Sequence, residues 1–494
     1  MNYKLPVISA LSLTFSCIIN FPAWSQELDA ADILARIERL EAENLRLKTV
    51  IDTLKDEAGI HRIAPSDPTV ATEMVSVQQS GYVGISTNYG YEILDHAEKV
   101  NQKRILQLKA RQNGQLNNVL TLSGQTTVLA NYQRSNRDDK FGYLMRHPTF
   151  NNQIGDTSSE AVVHSASLAT TATLSDSLTA YVEFLYNPEQ SFGSGTITSL
   201  ARNQVQVRKA YLLWGDLNKS PIYAAIGKMD TPFGLNDTVS PFTNSTVWHS
   251  FAGLAYGAEV GYLENGLSLR AMAIQGGSQF RAANTPVDGT NVPSRLNNFA
   301  LDANYTKDIG PRNTVMVGAS YLHGSPYCQD YPVFHFNPCE ENNPAWSAYG
   351  TLHSGPLTLL AEYAQTTEVW PGSSVPDPSN PLSEFAAQKT QSFVFGGRFG
   401  FGTKMEDTYR SSLSLEFSSF IAGDSGAPWE NQDQWVLGYS KFLAPNINLF
   451  SELIHVEGYA PLNFVSGGNF PDGSTWSDRD AQTDVILVGA QAAF

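Results

Sequence analysis

The feature that most restricts this 494-residue chain is a series of sixteen alternating segments, at 120–133, 161–174, 177–187, 204–215, 221–229, 254–263, 266–276, 295–307, 314–323, 345–354, 356–368, 389–402, 408–421, 433–443, 446–457 and 482–494. Side chains of a strand point alternately to opposite faces, so segments apolar on one face and polar on the other suit a wall between lipid and water. The connections alternate as well. Leu174-Ser175-Asp176-Ser177, Glu264-Asn265-Gly266, His353-Ser354-Gly355-Pro356 and Leu443-Ala444-Pro445-Asn446 are tight turns, whereas 230–252, 324–344, 369–388 and 458–480 are long and rich in Pro, Gly and Asn. Tight turns at one rim and long loops at the other mark an outer-membrane barrel, and an even strand number returns both ends to the periplasm. The expectation is an all-β fold, a 16-stranded antiparallel transmembrane barrel over 119–494, with 324–344 outside.

The ends agree. Residues 1–25 combine a basic start at Lys4, an apolar run from Leu5 to Phe21 and a small-x-small site at Ala23-Trp24-Ser25, the pattern of a secretory signal peptide. Thr14-Phe15-Ser16 before Cys17 lacks the Leu of a lipoprotein signal. No later run approaches the apolar length of a membrane helix. At the other end Ile486, Val488, Ala490 and Ala492 form one apolar face of a strand that stops on Phe494, which resembles the terminal strand that the barrel-assembly machinery reads. Acidic residues outnumber basic ones for a net charge of −16, which argues against nucleic acid as a partner.

Residues 26–59 have a different period. Ile33, Ile37, Leu40, Asn44, Leu47, Ile51 and Leu54 are spaced four, three, four, three, four, three, a heptad seam. Arg36 would face Glu41, and Glu43 would face Lys48, in a parallel, in-register coiled coil, so a homo-oligomer is expected, trimer or dimer, with the coil in the periplasm. Residues 60–118 read as a periplasmic linker and pre-barrel segment. Lys99, Lys103, Arg104, Lys109 and Arg111 give it a local cationic excess, expected on a solvated helix, with a segment tucked into the barrel mouth as the alternative.

Alternation also assigns faces. It puts Arg208, Arg270, Arg398, Arg410, Glu183, Asp302, Glu362 and Glu416 in the lumen, with Lys228 and Glu452 less firmly placed, and leaves Lys209 facing lipid beside Val207, Tyr211 and Leu213. A charge facing lipid at mid-bilayer costs about 2–4 kcal/mol, so inward placement is preferred. Opposed lumen charges would favour polar or charged solutes; the plainer role is pairing across the wall. Cys328 and Cys339 bracket a loop and predict a disulfide in an exported chain. His335 between them matches no zinc spacing, and neither metal nor cofactor is expected. His164-Ser165 resembles the His and Ser of outer-membrane phospholipases, but regular alternation sends the two to opposite faces, so no enzyme is expected.

Tyr91-Glu92-Ile93-Leu94-Asp95-His96 and Leu108-Lys109-Ala110-Arg111-Gln112, placed between a coil and a sixteen-strand barrel, resemble the LbtU-type siderophore porins. Val207-Arg208-Lys209-Ala210-Tyr211 and Gly227-Lys228-Met229-Asp230-Thr231-Pro232-Phe233-Gly234 are similar to pieces of substrate-selective porins more widely. The resemblance implies uptake of ferric siderophore without energy coupling; it supplies no ligand residues. With no room for a globular plug, sixteen strands imply an open aqueous lumen and facilitated diffusion. A general, anion-selective or sugar-selective porin accounts for the same physical features, and an adhesin or envelope anchor is the non-transport alternative.

Overall fold

Period-two alternation folds as sheet throughout. A computed structural model describes residues 81–146, 155–189, 203–277, 295–328, 341–370, 386–405, 408–460 and 477–494. The coil of 26–59, the signal segment and Cys339 lie outside the described residues. A short strand β1 (Val83–Ile85) precedes sixteen barrel strands: β2 (Leu120–Ser135), β3 (Thr157–Thr173), β4 (Leu178–Tyr186), β5 (Val205–Trp214), β6 (Ile222–Asp230), β7 (Leu254–Glu264), β8 (Leu267–Ile274), β9 (Asn298–Asp308), β10 (Asn313–Leu322), β11 (Ala345–Ser354), β12 (Leu357–Thr366), β13 (Gln391–Met405), β14 (Thr408–Ile421), β15 (Asn431–Ala444), β16 (Ile447–Tyr459) and β17 (Asp478–Ala493). Each barrel strand pairs antiparallel with its sequence neighbours, and β17 pairs with β2 from Thr483↔Ser135 to Ala493↔Gln125, which closes the barrel. β1 lies parallel on the remaining edge of β2, Val83 opposite Leu120. Every segment expected from alternation is found, in order, with ends shifted by a few residues.

The outer wall is apolar. Val260, Leu301, Val317, Phe395, Leu413, Leu437, Leu453, Ile486 and Val488 are all exposed on it. Aromatic contacts band both ends: Phe417–Trp435 at 4.4 Å and Trp346–Tyr363 at 5.2 Å near the long loops, and Phe401–Tyr439 at 6.4 Å near the tight turns. An apolar belt between aromatic girdles is the surface an outer-membrane barrel presents to lipid. Phe494 is pinned at the tight-turn rim, its N–H donating to Gly124 O at 2.9 Å and its carbonyl accepting from Gly124 N–H at 3.0 Å.

Two bulges correct the face assignments. In β5 the register against β4 slips between Glu183↔Lys209 and Phe184↔Val207, so Arg208 is the extra residue. The re-phased strand turns Lys209, Tyr211 and Leu213 inward and Leu212 and Trp214 outward, so Lys209 does not face lipid. In β3 the register against β2 slips between Ser165 and Val163, which leaves His164 as the extra residue. His164 and Ser165 are therefore not on opposite faces; His164 Nδ1 lies 3.3 Å from Ser165 Oγ. Lys228 is corrected too. It pairs with Ala210 and with Tyr256, on the outer face shared by Ile222 and Ile226, and sits 5.7 Å above the exposed Tyr256 ring.

Candidate functional site

Among the described residues, other elements occupy much of the lumen. Two helices, α1 (Thr87–Leu94) and α2 (Lys103–Gln112), follow β1 and lie inside the barrel, so this part of the segment expected as a periplasmic linker forms a plug, closer to the alternative of a segment tucked into the barrel mouth. It enters from the rim of the tight turns, beside the C-terminus. The apolar face of α1 and α2 (Tyr89, Ile93, Ile105, Leu106 and Leu108) is buried in one cluster with inward Tyr181, Tyr211, Leu213, Tyr223 and Met272 of the wall. Gly90 lies tight against the wall: a Cβ there would collide with the Phe494 backbone oxygen.

Polar contacts fix α2. Arg104 donates from Nε and Nη2 to Glu259 of β7 at 2.9 and 2.7 Å and also to Asp230 O at 2.9 Å. Gln107 accepts from Tyr211 Oη at 2.8 Å and donates to Tyr89 Oη at 3.0 Å. Arg111 donates to Thr179 Oγ1 at 2.7 Å. Lys103 points back into its own segment, donating to the carbonyls of Glu92, Asp95 and Glu98 at 2.6, 2.6 and 3.0 Å. Burial depresses the Lys103 ammonium to about 8.

A second element fills the lumen beside the plug. Residues 231–253, where an external loop was expected at 230–252, fold inward and carry α3 (Thr246–Phe251). Three wall carboxylates hold this loop by its backbone. Glu362 accepts from the N–H groups of Leu235 and Asn236 at 3.0 and 2.8 Å. Glu416 accepts from Val239 N–H at 2.9 Å and Thr238 Oγ1 at 2.6 Å. Glu452 accepts from the N–H groups of Phe242 and Thr243 at 2.8 and 3.1 Å. The loop in turn holds the plug, since Asp237 accepts from the N–H groups of Lys99 and Val100 at 3.0 and 2.9 Å, and Asn101 donates to Phe233 O and Gly234 O at 2.7 and 2.9 Å. Burial, opposed by those two N–H bonds and reinforced by Glu98, pushes Asp237 up to about 7.

The residues picked out as lumen charges are thus mostly inward but committed. Arg270 pairs with Asp302 at 2.8 Å and also donates to Asn101 O of the plug. Lys209 pairs with Asp230 at 2.8 Å and lies 4.0 Å from Glu183, which accepts from Tyr181 Oη at 2.9 Å. Arg398 pairs with Glu98 of the plug, and that guanidinium holds the Glu98 carboxyl below its usual range despite burial. Arg208 is inward and buried. Arg410 has inward parity but stands exposed at the tight-turn rim, donating to Phe442 O at 3.1 Å. Cys328 is buried near the long-loop rim. His164 sets its other ring nitrogen 3.3 Å from Met145 O, a carbonyl rather than the carboxylate that would orient a catalytic base. Among the described residues no cluster of His, Cys, Asp and Glu is arranged to hold a metal.

The plug divides the remaining space. Two wells open at the tight-turn rim, one of about 450 Å³ bordered by Glu98, Arg398, His353 and Asn448, the other of about 630 Å³ bordered by Gln102, Lys109, Asn304 and Met316. A smaller cavity of about 80 Å³ lies deeper, between α1, the inward loop and β2–β5.

Solved structures of outer-membrane channels resemble this chain. An anion-selective porin from Comamonas acidovorans aligns at 12% identity over 76% of this chain and 99% of its own, with a TM-score of 0.47. OprB of Pseudomonas putida aligns at 8% identity over 81% and 99%, with a TM-score of 0.46. The channel DcaP of Acinetobacter baumannii aligns at 14% identity over 76% and 97%, with a TM-score of 0.44. No family model and no curated protein matches the sequence. The fold therefore rests on the strand pairing itself.

Proposed function

We propose that this protein is an outer-membrane channel for small polar solutes, held shut by its own N-terminal segment. The observation that supports it is the Arg104–Glu259 pair: a sixteen-strand barrel with a lipid-facing exterior and a polar interior is closed by two helices that a buried ion pair anchors. The segment is joined to the wall through 113–119 on one side and through the short β1–β2 pairing on the other. With the plug seated, passage requires it to move.

Planar-bilayer recording tests this. Full-length protein should show rare openings, and Arg104→Ala should raise their frequency several-fold. A variant barrel, folded by heat-shift on gels, that conducts no more often than the original would refute the gate. Ferric siderophore remains the finer reading that the sequence resemblance supports. The pairing of Arg270, Arg398 and Lys209 leaves these cations committed in the closed state, which does not favour an acidic ligand over other polar solutes. Labelled ferric siderophore, sugar and phosphate compared in one vesicle assay separate these readings. Assembly through 26–59 and recognition of Phe494 by the assembly machinery are carried as proposals.

A further inference from the structure

We propose that solute crosses between α1 and the strip of wall it covers on β17, β2 and β3, and that the solute is an uncharged, hydroxyl-rich small molecule. This rests on the channel reading and names its path and substrate class.

The two halves of the wall differ. On β5–β9 the charges are consumed in pairs, Lys209 with Asp230, Glu259 with Arg104 and Asp302 with Arg270. That half is where α2 is anchored. The opposite strip carries Thr121, Ser123, Gln125, Thr127, Thr173 and Gln491, without a formal charge among them. Each leaves a buried side-chain atom with no hydrogen-bond partner in the plugged barrel: Oγ or Oγ1 of the hydroxyl residues and Nε2 of both glutamines. An unmade buried hydrogen bond costs about 1–3 kcal/mol, and the half that anchors α2 leaves such atoms too, at Gln206, Tyr223 and Ser268, so the absence of charge among its polar side chains is what sets this strip apart. A wall that is periodically wet or in contact with solute needs such polar groups.

α1 meets this strip through hydroxyl and amide groups. Its contacts to this strip include Tyr89 Oη with Thr171 Oγ1 at 2.8 Å and Tyr91 Oη donating to Gln491 Oε1 at 3.2 Å. Ser123 Oγ lies 3.4 Å from the position of a Cβ on Gly90, which places the strip directly beneath the helix. Both ends of the strip lead into space. Asn448, with an unpartnered Oδ1, borders the 450 Å³ well at the rim, and Asn244, unpartnered at both amide atoms, borders the deeper cavity with Gln125. Asp95, Lys103, Glu183, Arg208, Lys209 and Asp230 also border that cavity, three cations against three anions, with Lys209 and Asp230 paired at 2.8 Å. Hydroxyl and amide groups both donate and accept, as the hydroxyls of a polyol do, and they offer no counter-charge to an ion.

Gly90→Ala supplies the test, because the added methyl meets the Phe494 backbone oxygen and must lift α1 while leaving Arg104 in place. Full-length protein in vesicles is given radiolabelled xylitol, gluconate and lysine, which are similar in size. Gly90→Ala should raise xylitol entry several-fold, with gluconate and lysine lagging well behind, and adding Gln125→Leu should cut the xylitol gain several-fold. If Gly90→Ala misfolds, Tyr89→Phe with Tyr91→Phe removes both bonds without adding bulk and carries the same expectation. Gluconate or lysine entering as fast as xylitol overturns the solute class, and a gain insensitive to Gln125→Leu overturns the path. Absence of entry for every probe in these variants and in Arg104→Ala alike would instead refute the channel reading.

Discussion

Arg104 of the plug and Glu259 of the wall meet at 2.7 Å with side chains 1% and 0% exposed, 155 positions apart in sequence. Desolvating both ions is expensive, and the pair is stable because Glu259 receives two guanidinium N–H bonds while a third N–H reaches Asp230 O. Such a contact adds little stability over an apolar one, but it dictates where α2 sits.

Removing one partner strands the other. Glu259→Leu should leave Arg104 buried without its carboxylate, at a cost of about 3–5 kcal/mol that the chain can avoid by releasing the plug. Arg104→Glu with Glu259→Arg should recover part of the closure that either single change destroys. Opening frequency in bilayers reads the effect. A double swap as leaky as the single variants would mean the pair does not position the plug.

The strand order and the apolar belt were legible in the sequence because alternation maps directly onto two solvents. What alternation misses is a single extra residue. Nothing in Val207-Arg208-Lys209 announces the bulge that turns Lys209 inward, and nothing in Val163-His164-Ser165 announces the one that brings His164 and Ser165 together. Sequence alone does not separate a solvated helix from the plug, because an amphipathic basic helix looks alike whether water or an acidic wall faces its cations. The signal present was complementary: Arg104 answers Glu259, which the alternation of β7 points inward. The loop at 231–253 looked external by its Pro and Gly, yet Asp237 is its one acid or base apart from His249, which suits a segment that must be buried.

Plug seating should depend on pH in two limbs. Asp237 is raised to about 7 in the seated state from 3.8, so it contributes closure that is fully present below pH 3.8 and lost as pH rises through 7. Lys103 is lowered to about 8 from 10.5, so it contributes closure that is present above pH 10.5 and lost as pH falls through 8. Closure is weakest where both costs apply, between pH 7 and 8. Bilayer openings should therefore be most frequent there and decline towards pH 5, and Asp237→Asn should flatten the acidic limb. Openings that increase steadily towards pH 5 in the unaltered protein would reverse the sign and exclude this latch.

The proposed coil at 26–59 would serve assembly rather than the barrel. Deleting 26–59, about 50 Å of helix at 1.5 Å per residue, should lower the mass in mild detergent while leaving the barrel heat-modifiable. An unchanged mass would give the seam through Asn44 another task.

Cys328 and Cys339 should be joined. Maleimide should label neither in the folded protein before reduction and both afterwards; labelling of either thiol without reductant would exclude the bond.

The inward loop depends on its three carboxylates to different degrees. Glu452 receives two backbone N–H groups and the Thr243 hydroxyl, and Phe242 above it stacks on Phe450 at 5.2 Å. Charged acceptors contribute about 1.5–3 kcal/mol to such bonds, and truncation leaves both N–H groups buried and unpaired. Glu452→Ala should thus loosen 238–245 without unfolding the barrel, because β16 keeps its ladder to β15 and β17. Amide hydrogen exchange at Phe242 and Thr243 should rise by orders of magnitude, while exchange in β16 stays slow. Glu452→Gln, which keeps an acceptor oxygen, should fall between. If exchange at Phe242 is already fast in the unaltered protein, the loop is not clasped by Glu452, and closure rests on the plug alone.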